Sequence, residues 1–427
     1  MPKKSRNLSF LQATSIGVGG MVGGGIFAVL GLATQLAGAG TPFAFTVAGV
    51  VALVSTYSYI KLSLRYPNKG GTVIFLGKAF GKGLFSGSLN ILLWLSYIIM
   101  LSLYSSAFGN YGASYFPSNL RQLGTHILIS LIVIAVTLLN TTGASDIGRA
   151  EEWIVIAKLS ILLLFIVVGL PLIDWSRLSL SKWESPVSLI SGGMIIFVAY
   201  EGFELIANSA GDIKKPKKNL PRSFFTSVIF VVILYILVAL VTVGTLPVSR
   251  IVEAKEYALA EAAKPGLGAI GFNLITIAAL LSTTSAINAT LYGSARFSYI
   301  IAKEGELPEF IEHKIWRKPL EGLFITSGAV LFAANFFNLS DISILGSSGF
   351  LLIFAMVNFA NVKMAKETSS KKWPSMFGGI VCLVALALLV TKVTSQNPKK
   401  LLIILGMLVL SVLIELIYRW FVRKKKQ

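Results

Sequence analysis

Apolar residues run along this chain in stretches of about twenty, the length a helix needs to cross the hydrocarbon core of a bilayer. Charged residues collect in the short segments between them. Reading windows of that length predicts membrane helices near 11–37, 42–64, 83–108, 124–142, 148–173, 187–211, 223–246, 267–299, 320–336, 341–362, 374–393 and 400–421. No soluble domain of any size fits between them. The expected fold class is therefore an all-α integral membrane protein with twelve transmembrane helices.

Two of the stretches are interrupted. The first contains "GVGGMVGGGIF", Gly17 to Phe27, with six glycines, and the sixth contains "VAYEGFE" around Gly202. Glycine lowers helix propensity by about 1 kcal/mol relative to alanine. In hydrocarbon, backbone groups freed by unwinding are tolerated only where they meet protein, water or a ligand. A break at Gly23, Gly24 and Gly25 points amide N–H groups and the positive end of a half-helix dipole at one spot, which suits a carboxylate. Carbonyls left free before it, such as that of Met21, suit an ammonium group. The alternative is that the glycines let helices pack closely, through spacings such as Gly19 to Gly23. The first span alone favours packing; the second interrupted span shifts the balance towards a site for the zwitterionic end of an amino acid.

An offset of five spans makes the two broken helices run in opposite directions, as an inverted repeat of five plus five helices requires. The repeats would be 11–173 and 187–362, with helices eleven and twelve, 374–421, outside them.

The composition agrees with a membrane protein and adds a topology. Of 427 residues, 55% are hydrophobic and only 13% charged, outside the usual range of a soluble domain. The net charge of +19 raises the question of nucleic acid, but the basic residues form no stripe interleaved with exposed aromatics, so no nucleic-acid partner is expected. With a cytoplasmic N-terminus, the outside loops hold only Arg121, Arg177, Lys182, Arg250, Lys255, Lys264, Lys392, Lys399 and Lys400. Every other Lys and Arg except Lys158 falls inside. That asymmetry places both termini in the cytoplasm of a plasma-membrane protein, with the "RKKKQ" tail as an anchor. The apolar run after "MPKKSRNLSF" lacks a small-residue cleavage site and reads as a retained first helix. One cysteine, Cys382, and two histidines, His126 and His313, give no disulfide framework and no structural zinc site. No cofactor is expected, and the absence of "GxxxxGK[ST]" gives no support to ATP-driven transport.

Three ionisable residues within the apolar spans stand out. Glu201 and Glu204 sit in the sixth, where an unpaired carboxylate is costly and marks a functional site by default. Glu201 reads as a proton carrier or cation-selective group, or as a carboxylate paired near the break; for Glu204 the pairing reading is favoured. Lys158 sits about ten residues into the fifth span, too deep to snorkel to the interface. Because burial disfavours the charged form of an amine, a lysine so placed is a candidate to gain and lose a proton within a transport cycle. The alternative is a fixed ion pair with Glu201 or Glu204. At the inner end of the eighth span, Arg296 and Glu304 form either a cytoplasmic gate or a static interfacial pair. The run "DIKKPKKNLPRS" reads as a solvated loop, or less readily as a lipid-headgroup contact.

Four separated motifs, "GGMVGGGIF", "LRYPNKGG", "FVAYEGFE" with "DIKKPKKNLPRS", and "YGSARFSYIIAKEGELPEF", resemble the amino acid, polyamine and organocation transporter superfamily, in order, from about Leu8 to Phe310. The likeness is greatest to an archaeal, proton-coupled amino-acid transporter of broad specificity, in which a lysine of the fifth helix takes the place of a sodium ion. Lys158 stands at that position in "GRAEEWIVIAKLSILLLF". The resemblance implies a leucine-transporter-like core of ten helices, with the first and sixth unwound at the midplane, and transport by alternating access. It assigns the substrate carboxylate to the backbone of Gly23, Gly24 and Gly25, and the substrate ammonium to carbonyls of Met21, Val198, Ala199 and Glu201. It builds the cation position from the carbonyls of Gly19 and Val22 and the hydroxyls of Ser282 and Ser285, with the Lys158 ammonium among them. At Glu201 the sequence departs from its relatives, which usually carry an apolar residue there.

The expected function is a secondary transporter, not an enzyme: a proton-coupled amino-acid symporter with no sodium requirement, sufficient as a monomer in the lipid bilayer. A cationic amino-acid or polyamine exchanger is the alternative that Glu201 suggests. A channel or a scaffold without transport chemistry would be a class apart; no filter ring is visible in the single chain.

Overall fold

The computed structural model describes residues 7–142, 147–303 and 320–423. The Arg296–Glu304 pairing considered above lies outside the described residues. The described residues form sixteen α-helices in order: α1 (Phe10–Met21), α2 (Gly25–Ala37), α3 (Thr41–Arg65), α4 (Gly71–Phe80), α5 (Leu84–Ala113), α6 (Arg121–Thr142), α7 (Ile147–Gly169), α8 (Pro186–Ile195), α9 (Leu205–Asn208), α10 (Pro216–Thr245), α11 (Val248–Ala254), α12 (Ala258–Lys303), α13 (Leu320–Phe336), α14 (Leu339–Lys363), α15 (Lys372–Gln396) and α16 (Lys399–Arg423). Among the described residues, nine helices are long and apolar enough to cross a membrane, and eleven spans result when each of two bent pairs counts as one. Those pairs are α1 with α2, bent by 43°, and α8 with the segment Phe197–Asn208, bent by 44°.

Each of the twelve predicted segments coincides with a helix or a bent pair. The segment at 320–336 is α13, whose 17 residues are short for a span, at about 26 Å for 1.5 Å per residue. Two helices were not anticipated. α4 and α11 have 10 and 7 residues, too few to register as apolar windows. The eighth segment, expected from 267, begins at the kink within α12 at Gly268, whose φ of +59° a side chain would resist, and a further helical stretch from Ala258 precedes it.

The outer surface is what a bilayer demands. Leu131, Leu138, Val167, Ile233, Val384 and Leu402 are exposed apolar side chains on α6, α7, α10, α15 and α16, facing where lipid chains would lie. The inner layer differs: 78% of the apolar window of α5 and 83% of that of α14 is buried, against 28% for α16. α5 packs on α12, α14, α6 and α16, while α10 packs on α3 and α1.

The two bent spans lie side by side and antiparallel, tied at both ends. Before α1, Leu8 N–H donates to the Asp212 carbonyl and the Leu8 carbonyl accepts from Lys214 N–H, while Gly38, at the end of α2, bridges to Trp183 ahead of α8. Between these ties they cross where neither has a side chain. A Cβ on Gly202 would stand 2.3 Å from the carbonyl carbon of Gly20 and 2.4 Å from Met21 N.

Candidate functional site

Both spans lose α-helical geometry beside this crossing, and in both a hydroxyl from another helix takes up the freed backbone. In the first span the α-helix ends at Met21 and restarts at Gly25. Gly24 has φ −130° and ψ −8°, and neither Gly24 nor Gly25 N–H donates to a backbone carbonyl. Ser282 of α12 shares its hydroxyl proton between the carbonyls of Val22, at 2.6 Å, and Gly23. Tyr235 of α10 donates to the Met21 carbonyl at 2.6 Å and reaches the Ala199 carbonyl at 3.4 Å, so one phenol spans both breaks.

In the sixth span the helix ends at Ile195 and the chain continues as a 3₁₀ stretch, Phe197–Glu204. The break therefore starts six residues ahead of Gly202, and Gly202 serves the close crossing. The cause is Ser347 of α14. Its hydroxyl accepts from Val198 N–H at 3.0 Å and donates to the Ile195 carbonyl at 2.7 Å, standing where the next helical bonds would form.

The structure brings most of the expected site residues together around these breaks. Met21, Val22, Gly23, Gly24, Gly25, Val198, Ala199 and Glu201 are buried. The glycines are also tightly packed: a Cβ on Gly24 would stand 2.3 Å from the Tyr104 ring, one on Gly23 2.7 Å from Ala286, and one on Gly25 2.8 Å from Ala199. Close packing and a break, alternatives in the sequence, coexist here. Tyr104 covers the Gly24 face, and its hydroxyl lies 3.4 Å from the Gly20 carbonyl.

Lys158 of α7 is 1% exposed, and its Nζ donates to the Gly19 carbonyl at 3.2 Å. Gly19, Val22, Lys158 and Ser282 thus meet along the end of α1. Ser285 does not join them; it is half-buried and makes no hydrogen bond to the break. The alternative pairing of Lys158 with Glu201 or Glu204 is not formed. Glu204 accepts instead from Tyr59 at 2.8 Å, from Thr72 at 3.1 Å and from Tyr97, a clasp that gathers α3, α4 and α5 onto the sixth span. Glu201 is 1% exposed, and its Oε2 has no hydrogen-bond partner.

Sequence reasoning did not single out Tyr235, Ser347, Tyr104 or the hydroxyls on Glu204. The sequence carries one signal for them, the density of Ser, Thr and Tyr inside apolar spans, and it does not say which backbone group each meets. Among the described residues no three His, Cys, Asp or Glu side chains come together as a metal site, and Cys382 is buried against the Ser55 hydroxyl at 3.3 Å. A cavity of ≈ 540 Å³ lies away from the breaks, lined by Pro42, Phe43, Thr46, Trp175, Trp183 and Leu240 among others.

Two spans are thus broken within one apolar bundle, with the backbone of the two breaks side by side. The chain matches the amino acid permease family model over residues 8–414 and belongs to that family. It is 40% identical to an uncharacterised protein of Methanocaldococcus jannaschii over 91% of this chain and 90% of that one. It is 31% identical to the inner membrane transport protein YbaT of Escherichia coli over 97% of each, and 25% identical to the methylthioribose transporter of Bacillus subtilis over 85% and 82%. The protein is thus a multi-pass membrane transporter of the amino acid permease kind and not an enzyme.

Proposed function

We propose that this permease is a proton-coupled amino-acid symporter of the plasma membrane, working by alternating access, with Lys158 as the proton-responsive group in place of sodium. The observation that carries the proposal is the bond from the buried Lys158 ammonium to the Gly19 carbonyl. An amine at that place ties α7 to the end of α1 through a charge-assisted bond while it is protonated, and holds the carbonyl more weakly when it gives up its proton. Because α1 runs into the break, the protonation state of Lys158 acts on the same backbone that would hold substrate.

In this reading the free amides of Gly24 and Gly25, with Gly23, take the substrate carboxylate. The ammonium goes to the carbonyls of Met21, Val198, Ala199 and Glu201, displacing the Tyr235 hydroxyl from two of them. The twelve segments, α13 included, form a five-plus-five inverted repeat with two further helices, consistent with the antiparallel course of the bent spans. Both termini lie in the cytoplasm on the distribution of basic residues. A substrate outside the amino acids is the competing possibility, since the name of one relative carries a thiosugar.

Uptake of labelled amino acids into proteoliposomes tests the proposal. Saturable uptake driven by an inward pH gradient without sodium, competed by several amino acids, is the expected result. Uptake that requires sodium, or that proceeds only by exchange with internal substrate, would contradict it.

A further inference from the structure

The bonds described so far leave Glu201 without a counter-charge. It sits in the 3₁₀ stretch three residues before Glu204, and side chains so spaced eclipse one another in a 3₁₀ helix. Its carboxyl is therefore neighbour to one whose oxygens Tyr59, Tyr97 and Thr72 already occupy. The groups around this region are Tyr59 from α3 and Tyr97 from α5, both bonded to Glu204, Tyr104 from α5 over Gly24, Tyr235 from α10 on the Met21 and Ala199 carbonyls, and the backbone of Gly20 and Met21 from α1 against Gly202. α14 contributes Ser347, already engaged at Ile195 and Val198. Lys158 is directed to the Gly19 carbonyl, and Glu201 forms no ion pair among the described residues.

A carboxylate buried beside a second one, with one oxygen bare, is costly to carry across a membrane as an anion. It needs a cation of its own. Two are chemically available in an amino-acid carrier: a proton, or an ammonium group on the side chain of the substrate. Gly202, the next residue, lies against the backbone of Gly20 and Met21, so Glu201 sits where the sixth span meets the break in the first, beside the space where a substrate would bind.

We propose that Glu201 is a cation-exchange point at which the side-chain ammonium of a diamino acid substitutes for a proton. This rests on the reading of the breaks as an amino-acid site. The empty carrier and the carrier loaded with a neutral amino acid hold Glu201 as the carboxylic acid. A diamino acid entering from outside displaces that proton to the outside and pairs its ammonium with the carboxylate; on release inside, Glu201 takes a proton from the cytoplasm. Each diamino substrate thus sends one proton outward relative to a neutral one and brings in one positive charge of its own. The charge moved per turnover is the same for both, and the proton count differs by one.

Proteoliposomes at clamped voltage, holding a pH-sensitive dye, give the protons moved per labelled alanine and per labelled lysine. The expected ratio is lower by one for lysine, with equal charge per substrate, and Glu201→Gln either loses lysine transport or carries lysine at the proton ratio of alanine. Equal proton ratios for alanine and lysine in the unmodified protein, or failure of lysine to enter or compete, would overturn the inference while leaving the proton-coupled reading intact. Absence of proton-driven alanine uptake would overturn that reading, and the inference with it.

Discussion

The Nζ of Lys158 stands 3.2 Å from the carbonyl oxygen of Gly19, just ahead of the point where the first span leaves α-helical geometry. On the next turn, the Val22 carbonyl is held by Ser282 from α12. The end of α1 is thus gripped from two sides by groups of different character, an amine and a hydroxyl.

The hydroxyl side gives a sharp contrast. Ser282→Ala removes the donor to the Val22 and Gly23 carbonyls, and the loss of a buried hydrogen bond costs about 1 kcal/mol, more where the carbonyls stay dry. Ser285→Ala removes no bond to the break. Thermal unfolding in detergent should therefore place Ser282→Ala below the parent and Ser285→Ala within error of it. The reverse order would show that the site is arranged differently.

The crossing of the bent spans leaves no room for a methyl group. Gly202→Ala sets its Cβ against the backbone of Gly20 and Met21, and overpacking of this kind costs about 1–3 kcal/mol. Gly77→Ala in α4 meets nothing within 4 Å and should gain up to about 1 kcal/mol of helix propensity. Unfolding midpoints that fall for the first and hold or rise for the second are expected. A Gly202→Ala protein as stable and active as the parent would show that the spans do not cross there.

Glu204 holds three hydroxyls, and removing the acceptor costs more than removing any one donor. Tyr97→Phe deletes one bond, at about 0.5–1.5 kcal/mol. Glu204→Ala leaves Tyr59, Thr72 and Tyr97 facing a gap, and should lower stability by more than Tyr97→Phe and Tyr59→Phe each do. Equal unfolding midpoints for Glu204→Ala and Tyr97→Phe would show that the clasp is incidental.

The spans were legible in the sequence because lipid imposes one demand along about twenty residues, and side chains such as Leu131 and Val167 carry it whatever the interior does. The break in the first span was legible for a similar reason, since Gly23, Gly24 and Gly25 in succession weaken a helix on their own. The break in the sixth was legible as the stretch around Gly202, within one residue of the observed Phe197–Glu204, but what holds it open was not, because that is not local. Ser347 lies well over a hundred residues further along and competes for the bonds of Ile195 and Val198. Tyr235 was invisible for the same reason: a buried phenol in an apolar span has many possible acceptors, and only packing selects Met21. Lys158 could be singled out because a cation deep in an apolar span has few places to go, whereas its partner on Gly19 is a backbone atom that came only with the family resemblance.

The most direct test of the account is the pH dependence of initial uptake rates in sodium-free proteoliposomes, for the unmodified protein and for Lys158→Ala at matched reconstitution. The account predicts saturable uptake that rises with an inward pH gradient in the first, and in the second a fall of tenfold or more with the remaining uptake indifferent to the gradient. Lys158→Ala that kept its full response to the gradient would contradict the role given to Lys158.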